Sequence, residues 1–370
     1  MVRVATPKRK NVYTLLKGFG RGQMCIFIVV IFLIGMVFVR RDPIMASSLL
    51  SGILTNDKTT PTHPLVHRET IHGVDVLWTR PNNDNDGDIS GIFFVAHGCH
   101  HSHTDWFVNC YGCIGLPEER GIINIALDLG LLVIVFSSMN RRSKCWSTTD
   151  DIEPLARVLN EFSGRFHKKE AILPIYAFGA SSGGHFVSAI ATKLEKIFQI
   201  HLNGYVSQIS AKTSDPAAEC KVYITMDRDA GTHVAAKKIV KECKDQSTNF
   251  ISTDTAVSKK IKCKHIPVPP LSIIPSYFAN RIPEISIVES EQMVRALQDA
   301  GFIDKESDEL MEDPRHSNWR AIVSQYSQRD SLIADESSIS EIMNVAWGKH
   351  ELTRDGVEEA LKFCMQNMTT

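Results

Sequence analysis

The chain has almost no net charge: 41 Lys and Arg stand against 42 Asp and Glu over 370 residues, leaving −1 at pH 7. A nucleic-acid partner held by bulk electrostatics is thereby excluded. Internal repeats and low-complexity tracts are missing, which excludes a stacked-repeat architecture. Sequons for N-glycosylation are scarce, and the one found, Asn367-Met368-Thr369, sits too near the C-terminus to carry weight. No acidic residue occurs before residue 24, where six basic ones do: Arg3, Lys8, Arg9, Lys10, Lys17 and Arg21. Uncharged apolar runs of membrane length are also scarce, and the one candidate follows directly.

Met24 to Val39 contains no charge, and Arg40, Arg41 and Asp42 close it. Sixteen apolar residues fall a little short of the roughly 20 that a straight helix needs to cross the hydrocarbon core. Local thinning and snorkelling arginines cover such a shortfall. The heavier positive flank is N-terminal, so that side should stay cytoplasmic and the rest should be translocated. The expectation is a basic cytoplasmic tail over 1–23, a transmembrane signal anchor over 24–39 and a Ser-, Thr-, Pro- and Asp-rich stalk over 40–65. The folded domain, 66–370, would then be luminal or extracellular in a single-pass type II membrane protein. A cleaved signal peptide is the close competitor, although Asp42-Pro43-Ile44-Met45-Ala46 offers no clear small-x-small site. Of nine cysteines, Cys25 lies in the apolar run and the other eight form an even set in a compartment that permits disulfides. Their pairing is not readable from the sequence.

With 43% hydrophobic residues the chain can fill one large core or two modest ones. Gly73 to Trp78 alternates as a strand and leads to a polar turn through Asn85-Asp86-Gly87. Ile92 to Ala96 and Leu131 to Phe136 are continuous apolar runs, as strands covered on both faces should be. Helical patterns start at Leu116-Pro117-Glu118-Glu119, run over Asp151 to Phe162 and Phe186 to Phe198, and return over Thr232 to Lys244. Gly204 to Ile209, Lys221 to Met226 and part of Asn249 to Pro267 supply further strands. Strands alternating with helices predict a mainly parallel sheet with right-handed crossovers. The alternation lapses from about 270 to 337, which reads as a helical insertion or cap. Two last helices, Ser338 to Trp347 and Gly356 to Cys364, flank Gly348-Lys349-His350-Glu351.

One stretch organises the rest. The apolar run Ala171 to Phe178 stops at Gly179-Ala180-Ser181-Ser182-Gly183, and a helix-compatible segment follows. A serine at the apex of a sharp strand-to-helix turn stands exposed beside backbone N–H groups. A turn of small residues made only for packing is the plainer alternative. As a nucleophile, Ser181 would need a base, and the base an orienting acid. In a Gly-x-Ser-x-Gly protein the order is serine, acid, histidine, with the acid just beyond a later strand. Asp229 meets that condition, Asp227 is the alternative acid, and Asp313 is a weaker third. Among fourteen histidines, His350 lies in a loop between the last helices, where the base belongs. His185 is expected on the first turn of the elbow helix. The oxyanion donors should be the N–H of Ser182 and that of Cys99, where Gly98 lets backbone approach closely; His100 is the alternative to Cys99. The same loop supports a competing reading, since His97, Cys99, His100, His101, His103, Cys110 and Cys113 are all potential metal ligands. Translocation favours disulfides over thiolates there, so no metal and no cofactor is expected.

These motifs together resemble the α/β-hydrolase superfamily, and more narrowly a membrane-anchored group within it found in plants, algae and related protists. The resemblance runs from about His72 to Phe363. It rests on His97-Gly98-Cys99-His100, Cys110-x-x-Cys113-x-Gly115-Leu116-Pro117-Glu118-Glu119, Ser137-Ser138 with Cys145-Trp146-Ser147, and Gly179 to Gly184. Met226-x-x-Asp229, Arg281-Ile282-Pro283, Asn344-Val345-Ala346 and His350-Glu351-x-Thr353 complete it. Leu352 departs from the pattern, where methionine is expected. The resemblance implies an α/β fold with a core sheet of about eight strands, a serine–aspartate–histidine triad and hydrolase chemistry, and it implies no particular substrate. The expectation is a membrane-anchored serine hydrolase, of carboxylesterase, lipase or peptidase-like type, acting on a small-molecule or lipid ester. The alternative is a non-catalytic binding or structural protein on the same fold.

Overall fold

The computed structural model describes residues 64–81, 89–166, 172–249, 261–326, 332 and 336–366. The basic tail, the apolar run at 24–39, nearly all of the stalk, the turn at 85–87 and the sequon at Asn367 lie outside them. Among the described residues no helix is long and apolar enough to cross a membrane.

Eight strands form one sheet: β1 His67–Ile71, β2 Val74–Thr79, β3 Gly91–Ala96, β4 Leu131–Phe136, β5 Ile175–Ala180, β6 Gly204–Gln208, β7 Cys220–Met226 and β8 Lys262–Val268. Their spatial order is β1-β2-β4-β3-β5-β6-β7-β8, with β2 antiparallel to both neighbours and the rest parallel. The β1–β2 turn is His72-Gly73, both at positive φ (49° and 81°), a hairpin geometry whose twist suits the flanking strands. The edge strand β1 escapes the sequence reading because its pattern is short and its outward positions are polar.

Ten α-helices are placed among the described residues: α1 Pro117–Asp128, α2 Ile152–Arg165, α3 Ser182–Val187, α4 Ala191–Phe198, α5 Ala230–Asn249, α6 Tyr277–Arg281, α7 Ile287–Asp299, α8 Arg320–Val323, α9 Ser338–Trp347 and α10 Val357–Met365. The segment expected as one helix over Phe186 to Phe198 is two, α3 and α4. The Ser188 carbonyl accepts the Asp215 N–H at 2.9 Å, and the Asp215 carboxylate receives the Thr192 N–H at 2.9 Å. Those partners take over backbone groups that a continuous helix would use, so the chain breaks between them.

Both faces of the sheet are covered, and the pleat sorts the strand residues between two cores. Ile92, Phe94 and Ala96 of β3 enter one with Trp146, Phe162 and Phe186; Phe93 and Val95 enter the other with Trp106, Ile122 and Leu361. A third apolar cluster lies in the 270–337 region. There Ile273, Phe278, Met293, Leu297 and Trp319 pack against Ile342 and Met343 of α9. Helix α7 opens with a capping box, Ser286 Oγ receiving the Glu289 N–H and Glu289 the Ser286 N–H. All eight cysteines of the folded region are paired, as Cys99–Cys145, Cys110–Cys113, Cys220–Cys364 and Cys243–Cys263.

Candidate active site

Ser181 stands on the turn between β5 and α3 with φ 52° and ψ −110°, a backbone conformation that L residues avoid. The turn is tight enough to forbid side chains beside it. A Cβ on Gly179 would lie 2.2 Å from the Gly183 carbonyl oxygen, and one on Gly183 2.2 Å from that of Ala96. The Ser181 N–H donates to the Gln208 carbonyl of neighbouring β6 at 3.0 Å, which pins the strained residue to the sheet edge.

Three residues far apart in sequence meet above this turn. Ser181 Oγ lies 3.3 Å from His350 Nε2, and His350 Nδ1 lies 2.8 Å from Asp229 Oδ2. Asp229 follows β7, and its other carboxylate oxygen receives the Thr232 N–H at 3.4 Å. Burial pushes this carboxyl up, but the bonds from His350 and Thr232 outweigh it and hold the group below the usual carboxylate range. His350 sits just beyond α9, whose end is closed by Gly348 at φ 72°. Its side chain is 53% exposed, so the imidazole stands in the open while Asp229 behind it is largely covered.

The alternative acids face elsewhere. Asp227 Oδ1 lies 3.3 Å from His233 Nδ1, and Asp313 is 3.5 Å from an Arg315 nitrogen and 3.9 Å from Lys349 Nζ. His185 lies on α3, its Nδ1 at 3.5 Å from the Thr213 hydroxyl.

The loop after β3 closes the other side. A Cβ on Gly98 would stand 3.9 Å from Ser181 Cβ, so this backbone packs directly on the serine. The Cys99–Cys145 disulfide ties the loop to the one after β4. The His100 N–H is taken, donating to the Ser143 carbonyl at 3.1 Å, whereas that of Cys99 meets no acceptor among the described residues. His97 explains the orientation. Its Nε2 accepts the Ser138 N–H at 3.3 Å, which leaves the proton on Nδ1 to donate to the Gly98 carbonyl at 2.6 Å. Burial drives the imidazole down to about 4, so it stays neutral. The Gly98–Cys99 peptide is trans, so a carbonyl turned to His97 sends the Cys99 N–H the opposite way.

The remaining residues of the metal reading have other partners. Cys99, Cys110 and Cys113 are in disulfides. His101 lies 3.1 Å from Asp105, and His103 bridges Ser137 at 2.8 Å and Asp75 at 3.2 Å. His100 is exposed.

Supports under the His350 loop were invisible as such in the sequence. Gln208, whose carbonyl holds Ser181, also clamps Thr353 with its side chain: Nε2 donates to the Thr353 carbonyl at 2.7 Å and Oε1 receives the Thr353 N–H at 3.1 Å. Arg228 donates to the Trp347 carbonyl at 3.0 Å and lies 3.8 Å over the Trp347 ring. The fully buried Glu118 receives the Thr353 hydroxyl at 3.1 Å, the Arg354 N–H at 2.7 Å and Arg281 at 2.8 Å. Beside it, Glu119 and Glu341 are buried and bonded carboxyl to carboxyl, and both are raised above the ordinary glutamate range, by burial first. Two such groups cannot both ionise cheaply, so the pair holds its protons above the usual glutamate range.

This strand order, with β2 reversed and a serine on a positive-φ turn between β5 and its helix, defines the α/β-hydrolase fold. No family model and no curated protein matches the chain. Among solved structures, the chain is similar to Est1E from Butyrivibrio proteoclasticus, at 10% identity and TM-score 0.35, over 55% of this chain and 88% of that one. It is also similar to a serine hydrolase without lid from Xanthomonas campestris, at 12% identity and TM-score 0.34, over 56% and 85%. A feruloyl esterase module from Clostridium thermocellum gives 10% and 0.39, over 57% and 82%. The fold assignment rests on the strand order and the turn at Ser181.

Proposed function

We propose that the chain is a serine hydrolase of esterase type. The observation that carries this reading is the unbroken hydrogen-bonded line from Asp229 through His350 to Ser181, at 2.8 and 3.3 Å, ending on a strained turn. His350 Nε2 takes the proton of Ser181 Oγ as the oxygen attacks an ester carbonyl. Asp229 holds the proton on Nδ1 and stabilises the imidazolium that forms. The N–H groups of Ser182 and Cys99 receive the oxyanion; one such donor contributes about 2.7–4 kcal/mol to the transition state. His350 then protonates the leaving alcohol, and water brought in through the same imidazole releases the acyl group.

The exposure of His350 and the half-buried position of Ser181 suit a substrate that lies across the sheet edge rather than one swallowed by a deep pocket. The cap region meets the site from behind, through Arg315, which donates to the His350 carbonyl at 3.3 Å and to Glu351 at 3.1 Å. The substrate class is a small-molecule or lipid ester. The basic residues before Met24 and the uncharged run to Val39 support tethering as a type II signal anchor, with the hydrolase domain luminal or extracellular. The disulfide pairing of the folded region suits that compartment.

The test is stopped-flow hydrolysis of p-nitrophenyl esters of increasing acyl length by wild type and Ser181→Ala. A burst of one nitrophenolate per chain, absent in the variant, is expected. Turnover that survives in Ser181→Ala contradicts the assignment.

A further inference from the structure

The stretch that carries His350, residues 347–353, is fastened to the elements of both its triad partners. At its start, Arg228 donates its N–H to the Gly348 carbonyl at 3.1 Å and its guanidinium to the Trp347 carbonyl at 3.0 Å. Arg228 immediately precedes Asp229, so this fastening sets the loop against the acid. At its end, the Gln208 side chain takes the Thr353 N–H at 3.1 Å and gives to the Thr353 carbonyl at 2.7 Å. Between them Arg315, from the cap, meets the His350 carbonyl at 3.3 Å.

The fastening at Gln208 sets the loop against the nucleophile. Gln208 pairs with Ala180 in the ladder of β5 and β6, and its own carbonyl receives the Ser181 N–H at 3.0 Å. One residue therefore grips the backbone of the serine turn on one side and the backbone of the histidine loop on the other. The contact it spans, Ser181 Oγ to His350 Nε2 at 3.3 Å, is the longer of the two in the triad. His350 itself stands at φ 47° with a side chain 53% exposed, so its position depends on what holds the loop.

The residue type suits the task. A primary amide offers a donor and an acceptor in one plane, and here both are spent on the N–H and C=O of a single residue. Such a pair of bonds fixes orientation as well as position. Gln208 and Thr353 are both fully buried, where water cannot replace either bond. The Thr353 hydroxyl lies between Glu118 at 3.1 Å and Asp355 at 3.0 Å, and Arg281 binds both of those acids.

We infer that Gln208 is the positioning residue for proton transfer from Ser181 to His350, setting the distance between the two by holding both backbones at once. This rests on the esterase reading above. A displacement of about 1 Å between reacting groups costs about a hundred-fold in rate, so a clamp of this kind acts on kcat. Ground-state binding of the ester does not pass through Gln208, and KM should be indifferent to it.

The test uses two variants that leave the triad untouched. Gln208→Met keeps the side-chain length and the carbonyl that holds Ser181, and drops both bonds to Thr353. Gln208→Glu can still donate and accept while its carboxyl is protonated, and can only accept once it ionises. Burial, with Glu118 and Asp355 beyond Thr353, should push that carboxyl above the usual glutamate range. Hydrolysis of p-nitrophenyl acetate is followed between about pH 6 and 9, with thermal unfolding to establish that each protein is folded at both limits. Gln208→Met should lose about ten- to a hundred-fold in kcat with KM within about twofold. The ionisation of His350 in its kcat/KM profile should stay where it is in wild type, since Asp229 and Arg228 are undisturbed. Gln208→Glu should be within about threefold of wild type near pH 6 and fall at least about ten-fold below it near pH 9. A kcat for Gln208→Met within about twofold of wild type, or a displaced His350 ionisation, overturns the inference and leaves the esterase reading standing. If Gln208→Met does not fold, the Gln208→Glu comparison decides, and a ratio to wild type that is flat with pH overturns it. If wild type neither turns over the ester nor is phosphonylated on Ser181, the esterase reading fails and the inference falls with it.

Discussion

His350 Nδ1 stands 2.8 Å from Asp229 Oδ2, while Asp227, two residues earlier on the same turn, points to His233. Two aspartates that look interchangeable in the sequence therefore have different duties. Asp229→Asn should lower kcat by about 10⁴-fold by leaving the imidazole in the wrong tautomer. Asp227→Asn should leave it within about twofold. Steady-state kinetics on one p-nitrophenyl ester checks both, and a larger loss in Asp227→Asn would reverse the assignment.

Glycines of the elbow separate from glycines elsewhere. Gly183→Ala places a methyl 2.2 Å from the Ala96 carbonyl oxygen and 2.6 Å from that of His97, both rigid backbone. It should cost about 3 kcal/mol or more, as overpacking against groups that cannot yield does. Gly231→Ala meets nothing within 4 Å on α5 and should be neutral or stabilise by up to about 1 kcal/mol. Urea midpoints measure the pair.

The Glu119–Glu341 pair gives stability a direction with pH. Their protons are held more tightly in the folded chain than in the unfolded one, so the folded state binds more protons above the ordinary glutamate range. Stability from this pair is therefore present in mild acid and is lost as the pH rises past that range. His101 adds in the same sense. Burial opposes its charge, but Asp105, Glu119 and Glu351 raise it to about 9, so its contribution also declines above neutrality. Glu341→Gln keeps an acceptor for the Glu118 N–H and removes the second charge. Thermal unfolding should show the variant gaining about 1–2 kcal/mol on wild type at pH 8 relative to pH 5. An equal pH dependence in the two proteins would refute the raised pair.

Two disulfides should give different phenotypes. Cys220–Cys364 joins β7 to α10 across 144 residues, and Cys364→Ser should cost about 2–5 kcal/mol of stability with little change in kcat. Cys99–Cys145 fastens the loop that carries the proposed oxyanion donor, the Cys99 N–H. Cys145→Ser should lower kcat by as much as about 10²-fold while KM moves little. Denaturant curves and kinetics on both variants separate the cases.

Much of the layout is legible in the residues because the signals are strong. Continuous apolar runs such as Leu131 to Phe136 become fully buried strands, and Gly-x-Ser-x-Gly marks the turn between β5 and α3. Order along the chain places Asp229 and His350 at the ends of later elements, and the structure brings both to Ser181. What stays hidden is tertiary. Nothing local tells that Gln208 holds Ser181 with its backbone and Thr353 with its side chain, 145 residues away. The motifs Leu116-Pro117-Glu118-Glu119 and Arg281-Ile282-Pro283 are visible separately, but their ion pair, Arg281 to Glu118 at 2.8 Å, depends on a helix crossing that no periodicity encodes. His97 counts in the sequence as one histidine among several possible ligands. Only its position against the Gly98 carbonyl gives it an orienting role.

Labelling by a fluorophosphonate probe tests the central claim most directly, with the modified residue mapped by peptide mass spectrometry in wild type, Ser181→Ala and His350→Ala. The account predicts one phosphonyl adduct per chain, located on Ser181, abolished in the first variant and slowed by at least about 10³-fold in the second. An unlabelled wild type, or an adduct that persists elsewhere when Ser181 is gone, would contradict it.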